Sequence, residues 1–160
     1  MRLYRFGADP HRPPADEFNG QGGILADGRW HIKGRPAVYA STSEPLALLE
    51  KLVHRMRVSN VAVYPLYIAE IPDDLIEELS ASDFPPDWPS IYPPLSTREL
   101  GSKWLAGQSA LGLLVPSVLI SSSASETKNC LINPAHPKFH RAVLSGPIML
   151  PLDPRFPLSA

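Results

Sequence analysis

Cysteine is almost absent from this sequence, since the chain has 160 residues and a single cysteine, Cys130. One cysteine cannot form an intrachain disulfide, so the fold has to be stabilised by its apolar core. The N-terminus also lacks the basic and apolar pattern of a secretory signal peptide. We therefore expect a protein of the reducing cytoplasm.

An excess of charge of either sign is missing as well. Lys and Arg total 15 against 16 Asp and Glu, and the formal net charge is -1. Such a chain lacks the basic surface that drives non-specific nucleic-acid binding or attraction to anionic lipids. The longest apolar segment, residues 111–120, is interrupted by Gly112 and Pro116 and is shorter than the ~18 residues of a membrane span. We expect neither nucleic acid nor a membrane as a direct partner.

Proline, in contrast, is abundant. The chain has 19 prolines, about 12% of its residues against a typical ~5%. It is nevertheless 44% hydrophobic, which is enough to drive collapse. The prolines therefore punctuate short elements of a compact fold, and a length close to ~150 residues predicts a single domain over residues 1–160.

Short apolar runs between turn residues predict about six strands and two longer helices. The strands are predicted at residues 2–6, 37–41, 61–71, 113–121, 130–133 and 147–152. Residues 7–23 are predicted as a long loop and residues 73–79 as a short helix. A capping-box pattern at residues 96–99 predicts a helix that ends near Gln108. These elements do not alternate strand by helix, which favours the α+β class.

The first long helix is predicted to follow Thr42 or Ser43, either of which can cap it. Apolar residues then recur at helical spacing at Leu46, Leu49, Leu52, Val53 and Met56. At ~100° per residue, Glu50 lies about 40° from Leu46 and borders this stripe. A carboxylate at that position can face a cleft, or it can pair with His54 one turn later.

The motifs of common nucleotide and metal sites are missing. The glycines at residues 20–23 do not follow a strand, so a dinucleotide-binding fingerprint is not supported. His136 and His140 have no nearby Cys or acidic partner, so we expect two exposed histidines and no metal. Cys130 lies in an apolar run and is expected in the core.

Single polar residues leave their roles open. Arg29 is either a solvated loop residue that stacks on Trp30 or a functional cation. Tyr39 lies in an apolar strand, where tyrosine is most often a core residue. Ser117 is compatible with an ordinary strand hydroxyl. Taken one at a time, these residues establish only an α+β domain.

Their order and spacing nevertheless carry a family resemblance. The chain contains, in order, Gly28-Arg29-Trp30, Val38-Tyr39-Ala40-Ser41, Leu49-Glu50, Pro116-Ser117 and the segment from Asn129 to Pro134. A Leu-Tyr-Arg opening that ends at Arg5, the set Arg98, Gly101 and Trp104, and Asp153-Pro154-Arg155 also match. In this arrangement the chain resembles the RES domain, a family named for its Arg, Glu and Ser residues, over nearly its whole length.

The resemblance implies a fold and a function. The fold is ADP-ribosyltransferase-like, with two small packed β-sheets flanked by helices around a central cleft. The function is that of a type II toxin that cleaves the nicotinamide–ribose bond of NAD+, by hydrolysis or phosphorolysis, and depletes cellular NAD. The implied partner is an Xre-type helix-turn-helix antitoxin in an oligomeric complex, with NAD+ as the substrate and no metal.

Two alternatives to this function stay open. The first is a mono-ADP-ribosyltransferase that modifies a protein such as phosphoribosyl pyrophosphate synthetase. The second is a catalytically silent module that binds a nucleotide or a partner.

The resemblance also assigns a role to each matching residue. Arg29, Glu50 and Ser117 are the catalytic candidates. A guanidinium fork matches the oxygens of a pyrophosphate, so Arg29 is the expected clamp, and Glu50 is expected to stabilise the oxocarbenium-like ribose. Ser117 is expected to hydrogen-bond the ribose or nicotinamide side of NAD+. Tyr39 is expected to stack on nicotinamide.

Two further residues are assigned to the NAD+ site with weaker support from the residues themselves. Trp30 is the second candidate for stacking on nicotinamide. Asn133 is placed on the cleft wall, although an Asn before Pro134 is also typical of a plain turn.

Two positions depart from the family pattern. The family usually has two glycines before the Arg and an Asn after the Trp, whereas this chain has Asp27 before Gly28 and His31 after Trp30. Asp27 adds a negative charge near the expected clamp. The replacement of the Asn by His31 removes an expected hydrogen-bond contact and keeps the silent binding module open.

Overall fold

The computed structural model describes residues 1–54, 63–120 and 126–153. The strands are β1 Arg2–Phe6, β2 Val38–Ser41, β3 Val63–Glu70, β4 Ile76–Glu78, β5 Gly112–Val115, β6 Asn129–Ile132 and β7 Val143–Pro151. The α-helices are α1 Pro14–Glu17, α2 Gln21–Leu25, α3 Glu44–His54 and α4 Leu95–Gly107. Short 3-10 helices lie at Asp73–Leu75, Ala81–Asp83 and Phe139–Arg141. Within the described ranges, no helix is both long enough and apolar enough to cross a membrane.

The strands form one seven-stranded sheet in the order β4-β5-β6-β2-β1-β3-β7. Only β4 and β5 pair in parallel. A single registered pair, Tyr4 with Ser41, links β1 to β2, so the sheet has two halves, β4-β5-β6-β2 and β1-β3-β7, that meet at a narrow junction. The predicted α+β class is confirmed, and the two small sheets that the resemblance implies correspond to these two halves.

The two faces of the sheet bury different residues, because side chains alternate along each strand. One face is covered by a cluster that includes Leu3, Val38, Ala40, Cys130 and Ile132. Cys130 is fully buried there, and burial raises the pKa of its thiol to about 12. The expectation of a core cysteine is therefore confirmed.

The opposite face carries two separate clusters, one on each half of the sheet. In the first cluster, Trp30 and the α4 residues Trp104 and Leu105 pack on the strand residues Leu113, Val115 and Leu131. Against α3, Ala47 packs on Phe6, Tyr64 and Leu66. Tyr39 and Ser41 of β2 lie on this face between the two clusters, because they pair with Leu131 and Asn129. The candidate site therefore lies between α3 and α4, over the junction of the two halves.

Several element boundaries differ from the predictions. The predicted loop at residues 7–23 contains α1 and the start of α2. The predicted helix at residues 73–79 is a 3-10 turn followed by β4, because pairing with β5 draws Ile76–Glu78 into the sheet. β5 ends at Val115, before Pro116, whose nitrogen has no hydrogen to donate. Of the predicted strand at residues 61–71, residues 61–62 lie outside the described ranges, as does most of the Asp153-Pro154-Arg155 segment.

The predicted capping box at residues 96–99 is wrong. α4 begins at Leu95 after Pro94, and no side chain caps it. The Thr97 hydroxyl donates instead to the carbonyl oxygens of Pro94 and Arg29. A capping box does occur earlier in the chain, between Ser80 and Asp83.

The start of α3 is confirmed, because the carbonyl oxygen of Ser43 accepts the N–H of Ala47. Its buried face, however, is rotated from the predicted stripe. Leu46 and Ala47 are buried, whereas Leu49 is 39% and Val53 is 55% exposed. Met56 and the side chain of His54 lie outside the described part of the chain. The small Ala47 lets the helix approach the sheet, and this rotation turns Glu50 inward.

Candidate functional site

Glu50 is held by a chain of hydrogen bonds from three strand ends. The hydroxyl of Ser117 donates to its Oε1 at 2.7 Å, and the Nδ2 of Asn129 donates to the same oxygen at 2.6 Å. The Oδ1 of Asn129 in turn accepts the hydroxyl of Ser41 at 2.7 Å. Ser41 and Ser117 are each 2% exposed. The carboxylate therefore has a fixed orientation, set by donors that are themselves buried or bonded.

The strand register explains why these donors converge. Ser41 is the last residue of β2 and pairs with Asn129, the first residue of β6. Asn129 also pairs with Val115, the last residue of β5, and Ser117 follows two residues later. Because α3 starts directly after β2, Glu50 returns over the strand ends where Ser41 and Asn129 lie.

Arg29 lies in the electrostatic reach of Glu50. Its Nη1 donates to the carbonyl oxygens of Trp88 at 3.0 Å and Ser90 at 2.9 Å, and its Nη2 donates to that of Ile91 at 3.1 Å. Burial lowers the pKa of the Arg29 guanidinium, and the nearby Glu50 carboxylate works in the opposite direction. The expected catalytic Arg and Glu are thus brought into one region, and the guanidinium also anchors the segment at residues 88–91.

Helix α4 fixes the backbone around Arg29. The Thr97 hydroxyl donates to the carbonyl oxygen of Arg29 at 2.7 Å, and the N–H of Ile32 donates to the Ser102 hydroxyl at 2.8 Å. A Cβ at Gly101 would lie 1.8 Å from the carbonyl oxygen of Trp30. Glycine at this position is therefore required for the close approach of α4 to the Arg29 segment.

Tyr39 lies beside Arg29 and completes the group. Its hydroxyl oxygen accepts the backbone N–H of Trp30 at 2.9 Å and lies 2.8 Å from Nδ1 of His31. Burial raises the pKa of Tyr39 well above its usual value, so the phenol is neutral. The site thus combines a fixed carboxylate, a guanidinium and a neutral aromatic side chain, which suits a ligand with both anionic groups and a ring.

Trp30 occupies a different environment from the one predicted. Its ring is 1% exposed and meets the ring of Phe84 edge-on at 5.6 Å. A buried indole has no free face for a ligand, so in this structure Trp30 is a core residue and does not serve as the second stacking candidate.

Asn133 is also placed away from Glu50. It follows β6 at the end opposite to Asn129, ~13 Å along the strand at ~3.3 Å per residue. Its Nδ2 donates to the carbonyl oxygen of Leu105, and its Oδ1 accepts the N–H of Ala135. The placement of Asn133 on the cleft wall is therefore not supported, and its contacts are those of a buried turn.

The charge of Asp27 is directed away from the expected clamp. Its carboxylate accepts the backbone N–H of Lys33 at 2.8 Å and pairs with Arg98 at 3.3 Å. The backbone hydrogen bond, followed by Arg98, lowers the pKa of Asp27. Arg5 is likewise structural, since it donates to the Glu17 carboxylate and to the carbonyl oxygen of Tyr39.

Sequence reasoning missed Asn129 as a site residue. The sequence has an Asn at each end of the apolar run at residues 130–132, but only the strand pairing shows that Asn129, and not Asn133, contacts Ser41. The histidine expectation was wrong in part, because His136 is buried and its Nδ1 accepts the N–H of Lys138, while His140 is exposed. Within the described residues, no group of three or more His, Cys, Asp or Glu side chains is positioned to hold a metal ion.

Comparison with known proteins adds relatives along the whole chain. The RES domain family model matches residues 2–156. A Yersinia enterocolitica protein named Toxin Res is 38% identical over 156 residues, which are 97% of this chain and 99% of the relative. A Toxin Res of Pseudomonas putida is 40% identical over 129 residues, which are 79% of this chain and 83% of the relative. A Sphingobium protein named Prs ADP-ribosylating toxin is 36% identical over 142 residues, which are 84% of this chain and 83% of the relative.

Proposed function

Because the chain belongs to the RES domain family, we propose that it is a toxin that cleaves the nicotinamide–ribose bond of NAD+. Water or phosphate would take the ADP-ribose, and nicotinamide would leave. The observation that carries the proposal is the fixed Glu50 carboxylate, with Ser117 and Asn129 on one oxygen and the charge of Arg29 nearby.

Glu50 suits the step in which the bond breaks. Departure of nicotinamide leaves a ribose with oxocarbenium character, as in other glycosyl transfers. A carboxylate that is already oriented stabilises this positive charge as it develops, and this lowers the barrier without reorganisation. Ser117 holds that orientation, and we infer that it also lies near the ribose or nicotinamide side of the substrate.

Arg29 and Tyr39 suit the binding of the substrate. A guanidinium matches pyrophosphate oxygens in a planar fork. Three N–H groups of Arg29 donate to carbonyl oxygens of residues 88–91, so the substrate would bind the remaining N–H groups or replace these acceptors. Tyr39 is the aromatic side chain of the site and would stack on nicotinamide.

We also propose the setting in which the enzyme acts. The names of its relatives support a toxin of a toxin–antitoxin pair. Its partner would be an Xre-type helix-turn-helix antitoxin, and the chain would act as a single cytoplasmic domain in a larger complex.

A second candidate function is transfer of ADP-ribose to a protein. The similarity to the Sphingobium protein named Prs ADP-ribosylating toxin favours it. The residues would act in the same way, because the two reactions share the loss of nicotinamide and differ in the acceptor. NAD+ labelled in its adenosine part separates them, since transfer to a target in a cell lysate leaves label on protein.

The decisive experiment measures nicotinamide release and NAD+ loss by purified protein. Glu50→Gln keeps the size of the side chain and removes its charge, and we expect turnover to fall roughly 10²- to 10³-fold. Glu44→Gln is the matched control, because Glu44 lies on the same helix with an exposed side chain. Full turnover by the Glu50 variant would remove this residue from the mechanism.

A second pair of variants tests the clamp. Arg29→Lys keeps the charge but loses the fork, so we expect KM for NAD+ to rise roughly tenfold or more. The exposed Arg35→Lys is its control. If the wild-type protein binds NAD+ but releases no nicotinamide with water, phosphate or a cell lysate as the acceptor, the chain is the catalytically silent binding module.

A further inference from the structure

His31 lies against the hydroxyl of Tyr39 and is almost fully buried, with 3% of its surface exposed. Both of its ring nitrogens have a partner. Nε2 lies 3.0 Å from the carbonyl oxygen of Ala26, and Nδ1 lies 2.8 Å from the hydroxyl oxygen of Tyr39.

The partners of the ring decide where its proton lies. A carbonyl oxygen can only accept, so Nε2 of His31 carries the hydrogen and donates it to Ala26. Burial lowers the pKa of His31 below its ordinary value, which keeps the ring neutral at pH 7. Nδ1 is then a bare acceptor, and the hydroxyl of Tyr39 has to donate to it.

The Tyr39 hydroxyl makes a second hydrogen bond, in which it is the acceptor. Its oxygen accepts the N–H of Trp30 at 2.9 Å. The hydroxyl has one hydrogen to give, and because that hydrogen is donated to His31 it is not available to a ligand.

Gly28 is shaped to permit this contact. A Cβ at position 28 would lie 2.5 Å from the Tyr39 hydroxyl oxygen and 2.6 Å from the His31 ring. The hydroxyl and the imidazole are therefore packed together over the glycine backbone, with no room for a side chain at position 28.

We propose that His31 is a positioning residue for Tyr39: its Nδ1 takes the hydroxyl hydrogen, so that Tyr39 meets the NAD+ nucleotide with its ring and not as a hydrogen-bond donor. This role rests on the proposed function, because it assumes that Tyr39 faces the substrate. It also gives a use to the histidine that stands where the family usually has an asparagine.

Two substitutions separate the two bonds of His31. In His31→Asn the side-chain oxygen can take the place of Nδ1 and keep the bond from Tyr39. In His31→Gln the amide nitrogen can take the place of Nε2 and keep the bond to Ala26, while the acceptor for Tyr39 is lost. We expect KM for NAD+ to stay near the wild-type value in His31→Asn and to rise about tenfold in His31→Gln.

A double-mutant cycle tests whether His31 acts through Tyr39. In a Tyr39→Phe background the hydroxyl is gone, so His31→Gln should change KM less than about twofold. An equal rise of KM in both backgrounds would overturn the proposal, because it would mean that His31 acts through the backbone alone.

Nitrogen-15 NMR of the wild-type protein provides a test without turnover. We expect the ring of His31 to be neutral at pH 7.5 with its hydrogen on Nε2, and the Nδ1 resonance to shift in Tyr39→Phe. A hydrogen on Nδ1 would overturn the proposal even if all His31 variants misfold. A wild-type protein with this NMR signature but no nicotinamide release would instead contradict the proposed function and leave the Tyr39–His31 bond in place.

Discussion

At the scale of single residues, Asn129 is the side chain that connects the candidate site to the sheet. It donates to Glu50 and accepts from Ser41. These bonds fix the Glu50 carboxylate relative to the paired ends of β2 and β6. An amide is well suited to this position, because it is a donor on one side and an acceptor on the other.

We predict that Asn129→Ala lowers kcat for NAD+ cleavage roughly tenfold or more, because Glu50 loses an orienting donor. The free energy of unfolding should fall by about 1–3 kcal/mol, since the buried Ser41 hydroxyl loses its acceptor. Steady-state kinetics and urea unfolding measure the two effects. An unchanged kcat with lowered stability would show that Asn129 is only structural.

His31 predicts a dependence of stability on pH. Burial lowers its pKa below the ordinary value of 6.5, so the unfolded chain binds the proton more readily than the folded one. The stability that His31 contributes is therefore complete above about pH 6.5 and is lost as the pH falls through its lower folded-state pKa.

In urea unfolding at pH 7 and pH 5, we predict a larger drop in stability for the wild-type protein than for His31→Asn, which has no titrating ring. The carboxylates with lowered pKa, Asp27 and Asp74, lose their contribution only at more acidic pH and affect both proteins alike. Equal drops in the two proteins would show that His31 does not titrate differently on folding.

Some of these residues could be assigned to the site from the sequence, and others could not. Arg29 and Glu50 follow from the ordered motifs, and the structure brings them together. The choice between Asn129 and Asn133 could not be made, because both flank the same apolar run and only the register with β2 separates them. Burial of Trp30 also depends on Phe84, more than fifty residues away in sequence, and no local pattern reports that contact.

At the scale of elements, α4 serves mainly as a brace. Its Thr97, Gly101 and Ser102 contact the backbone of the Arg29 segment, while Trp104 fills the core and donates to Glu77. The spacing of Arg98, Gly101 and Trp104 therefore places a salt bridge, a close backbone contact and a core residue on one side of the helix.

We predict that Gly101→Ala destabilises the protein by several kcal/mol, or displaces α4, because the new Cβ meets backbone at 1.8 Å. NAD+ cleavage should fall with it, since Arg29 loses its support. Gly107→Ala in the same helix is the matched control. Nothing lies within 4 Å of a Cβ there, and Gly107 is the last residue of the helix, so we expect stability to change by less than about 1 kcal/mol.

Thermal unfolding and activity measured on both variants check this prediction. Similar stability and activity of the two variants would contradict the bracing role of the close contact at Gly101.

Helix α3 shows where periodicity is insufficient. The start after Ser43 was predicted, yet Leu49 and Val53 are exposed and Ala47 is buried. A hydrophobic pattern predicts that the largest apolar residues are buried. In the structure the small Ala47 is buried instead, because it packs closely on Phe6 and Tyr64. This rotation is also the reason that Glu50 points to the strand ends.

At the scale of the whole molecule, the site spans the narrow junction between the two halves of the sheet. The two halves share one registered pair between β1 and β2. The donors Ser41, Ser117 and Asn129 belong to one half, whereas α3, which carries Glu50, packs on residues of the other half.

We predict that low concentrations of urea reduce NAD+ cleavage before the protein unfolds globally, because small displacements of the halves separate Glu50 from its donors. Activity and far-ultraviolet circular dichroism, followed over one titration, measure the two transitions. Coincident transitions would show that the junction is as stable as the rest of the sheet.

The fold class could be predicted from the sequence, because most strands and both longer helices are marked by local apolar runs and turn residues that do not alternate strand by helix. The sheet order could not, since β4 pairs in parallel with β5 and β2 pairs with β6 across long stretches of chain. Short segments such as Ile76–Glu78 become strands only when a neighbour is available.

The contacts of Arg29 with the carbonyl oxygens of Trp88, Ser90 and Ile91 have one more consequence. These three bonds use three of the five N–H groups of the guanidinium, so an arriving anion binds the other two or exchanges acceptors with the protein itself. Net affinity then reflects the difference between two competing sets of acceptors. Substitutions at residues 88–91 that displace these carbonyl oxygens should therefore change how tightly the substrate is held.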